Sequence, residues 1–301
     1  MNLLVTGAFN CTDLELQTLS NIGNNVIFLQ MENEALPCPY DWVEGVICNG
    51  LFLHHPIEKF TNLKYIQLTS AGFDRIPMEY VQQHDIKLYG ARGVYSIPMA
   101  EFAICGVLEI YKKSRFFIEN QTKRIWEKNR NFLELFGKTV CIVGCGNVGS
   151  ECAKRFKAFG TTIYAVDTRK PDTEIYDKYF SIDEITSATR ESDIIILSLP
   201  LTAQTKQLFN AKMLTHLKST AVLVNISRGA IIDQADLIHA LQNNKLFGAV
   251  LDVFETEPLE ENSPLWNMEN VIITPHNSFV GENNHQRLKD VVFNNLLEVF
   301  K

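Results

Sequence analysis

The chain has 301 residues, 46% hydrophobic and 21% charged, the balance of a protein that folds around a substantial apolar core. Its formal charge is −7 with no long run of one sign, which argues against nucleic acid as a partner, because phosphate binding needs a concentrated basic surface. The seven cysteines are odd in number and scattered, so they do not read as a disulfide framework.

The opening Met1-Asn2-Leu3-Leu4-Val5-Thr6-Gly7 lacks the basic and long apolar regions of a signal peptide and reads as a first strand. Strands are predicted at 3–6, 26–29, 45–48, 65–69 and 86–89, with amphipathic segments such as 14–22 and 78–84 between them. Such alternation predicts a parallel sheet with helices on both faces. A long helical segment is predicted from Pro98 toward Trp126. Its most apolar window, 99–110, contains Glu101 and Glu109 and runs into Lys112 and Lys113, too short and too charged to span a bilayer. A cytoplasmic protein with no membrane contact is therefore expected. His54 and His55 read as loop or pocket-rim residues, and Trp126 and Trp266 as packing residues or as residues that approach the cleft.

In the second part, strands are predicted at 139–143, 162–166, 194–198, 221–225, 247–251 and 271–273, with helices at 147–159 and 234–242 and a final helix at 282–300. The first of these strands ends in Gly144-Cys145-Gly146-Asn147-Val148-Gly149, a G-x-G-x-x-G turn opening a helix. Gly144 permits the tight turn, Gly146 lets the backbone approach a pyrophosphate, and Gly149 lets the helix pack close to the sheet. The helix N-terminus offers N–H groups and a positive dipole end to phosphates. Asp167 closes the next strand at about the twenty-residue distance expected for an acid that bonds ribose hydroxyls. Six strands with this motif at the first predict a doubly wound dinucleotide fold. Cys141, Cys145 and Cys152 lie near one another, but their spacing lacks the tight pairs of a zinc site, and no metal is expected.

Three residues follow predicted strands of this second sheet: Arg228 in Asn225-Ile226-Ser227-Arg228-Gly229, Glu257 in Glu255-Thr256-Glu257-Pro258, and His276 in Thr274-Pro275-His276-Asn277. Ligands of open α/β sheets bind outside the carboxyl ends of the strands, so all three are placed to meet at a nicotinamide ring. A carbonyl that receives hydride needs a proton on its oxygen. Histidine can supply it, and a neighbouring carboxylate favours and orients the charged imidazole. Arginine can hold a substrate carboxylate by paired hydrogen bonds and stabilise the developing oxyanion. The set suits interconversion of a 2-oxo and a 2-hydroxy acid.

Here the chain resembles the D-isomer-specific 2-hydroxyacid dehydrogenase family. The motifs are Gly144-Cys145-Gly146-Asn147-Val148-Gly149, Leu199-Pro200-Leu201-Thr202, Asn225-Ile226-Ser227-Arg228-Gly229, Leu251-Asp252-Val253-Phe254, Glu257-Pro258 and Thr274-Pro275-His276. In the first part, Ser70-Ala71-Gly72-Phe73-Asp74 is similar to the family's substrate loop, and Met99-Ala100-Glu101 to the start of its interdomain helix. The resemblance implies catalytic roles for Arg228, Glu257 and His276. It implies that Ala71 and Gly72 hold the substrate carboxylate together with Arg228. Besides the glycines and Asp167, it implies cofactor contacts at Asn147, Val148, Pro200, Thr205, Ser227 and Asp252.

The fold expected is α/β: a Rossmann cofactor domain at 93–279, and a smaller flavodoxin-like substrate domain at 1–92 completed by 280–301, the two around a cleft. The cofactor expected is NAD, with NADP the lesser alternative, and the expected assembly is a homodimer formed largely through the cofactor domain. The expected activity is D-specific reduction of a small 2-oxo acid of the glyoxylate or hydroxypyruvate type. Phosphoglycerate dehydrogenases of the family grip a phosphate with an Arg-Ser pair after the third strand. Here that stretch reads Asn49-Gly50-Leu51-Phe52, and with the sequence ending at Lys301 no appended regulatory domain is expected. Asn277-Ser278-Phe279 also departs from the small apolar residues common after the family's histidine. A phosphoglycerate dehydrogenase-like enzyme and a non-catalytic, NAD-sensing corepressor remain as alternatives. Formate dehydrogenases of the family carry glutamine where this chain has Glu257.

Overall fold

The structure is a computed structural model describing residues 1–299. Phe300, within the last predicted helix, and Lys301 lie outside the described residues. The chain divides into two compact units, one comprising Met1–Tyr95 and the residues from Gly281 onward, the other Ser96–Val280.

In the first unit, β1 (Asn2–Thr6), α1 (Asp13–Asn21), β2 (Asn25–Leu29), β3 (Gly45–Cys48), β4 (Tyr65–Leu68), α2 (Met78–Gln83) and β5 (Lys87–Tyr89) follow one another. All strand pairs are parallel and the order is β2-β1-β3-β4-β5, that of a flavodoxin-like sheet. Successive strand residues serve opposite faces. Leu4, Val46, Cys48, Ile66 and Leu68 enter one core, while Leu3, Val5, Ile47 and Tyr65 enter the other.

The second unit contains α3 (Ser96–Tyr111), α4 (Ser114–Lys123), β6 (Thr139–Val143), α5 (Asn147–Ala158), β7 (Thr162–Asp167), β8 (Lys178–Ser181), α6 (Ile185–Glu191), β9 (Ile194–Leu197), α7 (Ala211–Leu214), β10 (Val222–Asn225), α8 (Gln234–Gln242), β11 (Gly248–Leu251) and β12 (Val271–Ile273). Its seven parallel strands run β12-β11-β10-β9-β6-β7-β8. This is the doubly wound dinucleotide order with one further strand beyond β11. Every residue of β9 and β10 is buried, as both faces are covered.

Two features differ from the sequence reading. The sheet has a strand, β8, that was not among the six predicted. It is a four-residue edge strand, opened by an exposed Lys178, and only Phe180 is buried. Its pattern is too short to stand out. The helix predicted from Pro98 toward Trp126 breaks in two, because Lys113 takes a left-handed conformation at φ 51°. Arg124 ends the second piece in the same way. Trp126 then lies beyond the helix and is 96% exposed, and Trp266 is 45% exposed, so neither is a buried packing residue. His55 is buried against Tyr40, its Nδ1 3.0 Å from the tyrosine hydroxyl, while His54 is exposed.

The chain returns to the first unit through α9 (Asn284–Val299). Leu288, Val292 and Leu296 recur every fourth residue and pack with Leu3, Val5, Phe9 and Leu19. Among the described residues no helix is long and apolar enough to cross a membrane.

Glu15 ties α9 to α1. It completes a capping box with Thr12, and its Oε1 accepts from His285 Nε2 at 3.1 Å and Lys289 Nζ at 3.2 Å. Burial opposes its charge, yet the Thr12 N–H, His285 and Lys289 outweigh burial and hold the carboxyl at about 2. An unfolded glutamate titrates near 4.3, so the folded state binds this proton less tightly. The resulting stabilisation is complete above about pH 4.5 and is lost as pH falls toward 2. Glu15→Gln should lower stability at pH 7 by about 2–3 kcal/mol and flatten the pH dependence across that window. Urea unfolding of both proteins at stepped pH measures this, and equal losses between pH 4.5 and 2 would count against the assignment.

Candidate active site

The glycine turn closes β6 and begins α5. Gly144 has φ 94°, and a Cβ there would come 2.7 Å from the Leu199 nitrogen, so neither conformation nor space admits a side chain. A Cβ on Gly149 would lie 2.1 Å from the Gly144 carbonyl oxygen, which is how closely the helix approaches the turn. Gly146 is different: a Cβ there would meet no protein atom within 4 Å. That open space lies at the N-cap of a twelve-residue helix, and Gly146 contributes no capping side chain. Asn147 is exposed and Val148 half-buried at the first turn.

Asp167 ends β7 beside this turn. Its Oδ2 accepts the Cys145 N–H at 2.6 Å, and its Oδ1 accepts from the Thr168 hydroxyl at 3.2 Å. The acid expected for ribose thus also fixes the glycine loop. Burial, reinforced by Asp167, pushes the Cys145 thiol up to about 12, leaving it neutral. Burial likewise raises Cys141 and Cys152, and all seven cysteines are free thiols. At the end of β9, the Thr205 hydroxyl donates to the Pro200 carbonyl at 2.7 Å, closing the loop that bears both residues.

Asp252 is fully buried just after β11. Its Oδ1 accepts from the Thr274 hydroxyl at 2.6 Å and the Asn277 N–H at 2.7 Å, and its Oδ2 from the Ser278 N–H at 3.0 Å. Its carbonyl accepts the His276 N–H at 2.8 Å. The loop after β12 is therefore wrapped around one carboxyl. Within it His276 adopts a left-handed φ of 51°, and Phe279 stands edge-on to its ring with centroids 6.1 Å apart.

His276 Nδ1 lies 2.9 Å from Glu257 Oε2. Glu257 Oε1 accepts the Phe254 N–H at 3.1 Å, so the carboxylate is held from both sides. The same 254–255 backbone presses on the loop after β10, where a Cβ on Gly229 would fall 1.9 Å from the Phe254 carbonyl carbon. Only glycine permits that approach. Arg228, half-buried, precedes it, with its carbonyl accepting from Asn225 Nδ2 at 3.0 Å and its Nη1 donating to the Ser227 carbonyl at 2.8 Å. Ser227 is buried, its hydroxyl bonded to Asn225 Oδ1 at 2.8 Å. Arg228, Glu257 and His276 thus sit on three loops at one edge of the sheet, with direct side-chain contact between the last two.

In the first unit, Ala71 is exposed and Gly72 half-buried in a loop after β4. The Ser70 hydroxyl donates to the Gly72 carbonyl at 3.0 Å, and the Tyr95 hydroxyl reaches the Thr69 carbonyl. The loop after β3 is held by Glu32, which no motif or spacing announces. The only hint is that an acid stands just beyond a strand end on the ligand-binding edge.

Residues 104–278 match the family model described as D-isomer specific 2-hydroxyacid dehydrogenase, NAD binding domain. The chain is 34% identical over 248 residues to a glyoxylate reductase of Thermofilum pendens, covering 80% of this chain and 73% of that protein. It is 34% identical over 223 residues to a hydroxypyruvate reductase of Thermotoga maritima, covering 73% of this chain and 72% of that protein. A solved glyoxylate reductase from Paecilomyes thermophila superposes with a TM-score of 0.87 at 25% identity, covering 100% of this chain and 95% of that one.

Proposed function

The chain belongs to the D-isomer-specific 2-hydroxyacid dehydrogenase family, and from that premise we propose that it reduces a small, unphosphorylated 2-oxo acid to the D-2-hydroxy acid at the expense of NADH. The observation that carries the reading is the 2.9 Å contact between His276 Nδ1 and Glu257 Oε2 on the ligand-binding edge of a dinucleotide-type sheet.

The residues present fit a dinucleotide, since the open space at Gly146 faces a helix N-terminus free of a capping side chain. Gly144, Gly146, Asn147, Val148 and Gly149 would hold its diphosphate and Asp167 its adenosine ribose. Pro200, Thr205, Ser227 and Asp252 would border the rest. When bound, the reduced nicotinamide supplies a hydride to the substrate's carbonyl carbon. The protein's own residues do the remainder. With Nδ1 turned to Glu257, His276 has Nε2 left to pass a proton to the carbonyl oxygen. Arg228 would pair with the substrate carboxylate and stabilise charge on the oxygen, and the N–H groups near Ala71 and Gly72 would hold the same carboxylate. Asp252 acts as a positioning residue, because it fixes the loop that presents His276. The Asn49-Gly50 loop, carrying no cation of its own, would face the end of the substrate remote from its carboxylate.

His276→Ala should reduce turnover by about 10²–10⁴-fold, the usual share of general acid catalysis, and leave NADH affinity nearly unchanged. Steady-state kinetics on glyoxylate and hydroxypyruvate, with fluorescence titration of NADH, test this. Near-normal turnover would remove His276 from the role.

NADH should be preferred to NADPH. The Asp167 carboxylate would bond the ribose hydroxyls and repel a 2′-phosphate, whereas Arg169 and Lys170 nearby are exposed. The comparison is kcat/KM for the two cofactors. Equal values would mean that Arg169 outweighs Asp167.

The enzyme would work in the cytoplasm as a homodimer. Free thiols support the first, as disulfides mark oxidising compartments. The second is supported by α4 and the segment that follows it. There Phe117, Ile118, Ile125, Trp126 and Phe132 expose apolar surface, while the buried Asn120 Nδ2 lacks a partner. A second copy of the chain covering this surface would satisfy both. Sedimentation should give a dimer that Trp126→Asp weakens, and a monomeric wild-type protein would contradict it.

A further inference from the structure

The first unit has its own ligand-type crevice, and one of its own side chains fills it. In the strand order β2-β1-β3-β4-β5, the chain leaves β1 to one side for β2 and then crosses back to β3 on the other. Open α/β sheets bind ligands outside the carboxyl ends of the strands at such a reversal. Here the half-buried Glu32 lies across that point. Its Oε1 accepts from the Thr6 hydroxyl at the end of β1, at 2.8 Å, and from the Asn49 N–H just beyond β3, at 2.7 Å. Its Oε2 accepts the Gly50 N–H at 2.6 Å. Two consecutive backbone N–H groups aimed at one carboxylate form an anion cradle. Beside it runs the stem of Arg75, whose Cδ would lie 3.9 Å from a Cβ on Gly50.

We propose that Glu32 is a specificity-determining residue: its carboxylate occupies the anion cradle formed by Asn49 and Gly50 and so excludes 2-oxo acids that carry a second anion at their far end. The inference rests on the reading of the Asn49-Gly50 loop as the substrate's distal wall. A phosphate or second carboxylate arriving there finds both N–H donors taken and a like charge in place of a partner. A substrate ending in hydrogen, methyl or hydroxyl meets no such penalty. Selection against phosphorylated acids therefore comes from an added negative charge as well as from the lack of a cation in the loop's own sequence. Without Glu32, two amides and Arg75 would make a receptive anion site.

The test uses the 301-residue chain as wild type, Glu32→Gln, Glu32→Ala and the charge-keeping Glu32→Asp. The readout is the ratio of kcat/KM for 3-phosphohydroxypyruvate to that for hydroxypyruvate, with NADH. Glu32→Gln should raise this ratio by about 10–100-fold, the size of a close like-charge repulsion partly screened by water. Glu32→Asp should stay near the wild-type ratio. An unchanged ratio in variants that still reduce hydroxypyruvate overturns the role of Glu32 and leaves the proposed activity standing. A wild-type protein that prefers the phosphorylated acid and loses that preference on Arg75→Ala overturns the role of Glu32 and, with it, the reading of the substrate as unphosphorylated. If no 2-oxo acid is turned over by any of the proteins, the proposed activity fails, and calorimetric titration with inorganic phosphate then decides the cradle. Phosphate should bind Glu32→Ala, or Glu32→Gln if the alanine variant does not fold, and not the wild type. Equal binding to both overturns the proposal.

Discussion

The buried carboxyl of Asp252 is the constraint on which the site depends. Removing a carboxyl from water is costly unless donors replace the lost hydration, and here the Thr274 hydroxyl and the Asn277 and Ser278 N–H groups do so. The loop after β12 cannot relax without stranding that group. Its geometry passes to His276, held in a left-handed conformation by its N–H bond to the Asp252 carbonyl. It passes next through the His276–Glu257 contact to the Phe254 backbone, and from there to the loop of Arg228, which Gly229 allows to approach. One buried group thus orders three loops from three different strand ends. A site built this way is positioned before substrate arrives, and preorganisation of this kind makes a proton donor effective.

The two sheets use the same edge in opposite ways. In the Ser96–Val280 unit the glycine turn keeps its helix N-terminus open, with space beside Gly146 and the acid of Asp167 set back on the loop nitrogen of Cys145. In the first unit a comparable pair of amides is closed by Glu32. One arrangement leaves room for a large anionic cofactor; in the other the amide pair already holds a carboxylate of the chain itself.

Much of this was legible in the sequence because the signals were local or strongly periodic. The strands of both sheets are short β-branched runs, and their predicted ends mostly fall within a residue of the observed ones. The glycine turn is announced by its own chemistry, and Arg228, Glu257 and His276 by following strands on one edge. What escaped depended on tertiary context. β8 has one buried side chain and an edge position, so its pattern carries little information. The break at Lys113 leaves no proline or glycine to mark it. Trp126 reads as a core residue by type, yet it is 96% exposed. Glu32 lies far in sequence from Asn49 and Gly50, and only the folded sheet brings them together. The resemblance implies a cofactor contact at Asp252; that it also holds the His276 loop is visible only from its three donors.

The proposed activity is hydride transfer from NADH, bound at this edge, to the carbonyl carbon of a 2-oxo acid with D stereochemistry. Isotope transfer tests it most directly. The 301-residue chain is incubated with hydroxypyruvate and NADH carrying deuterium at both C4 positions, and the product is resolved by chiral chromatography and mass spectrometry. The expected product is D-glycerate with one deuterium on C2. L-glycerate, or D-glycerate without deuterium at C2, would contradict it.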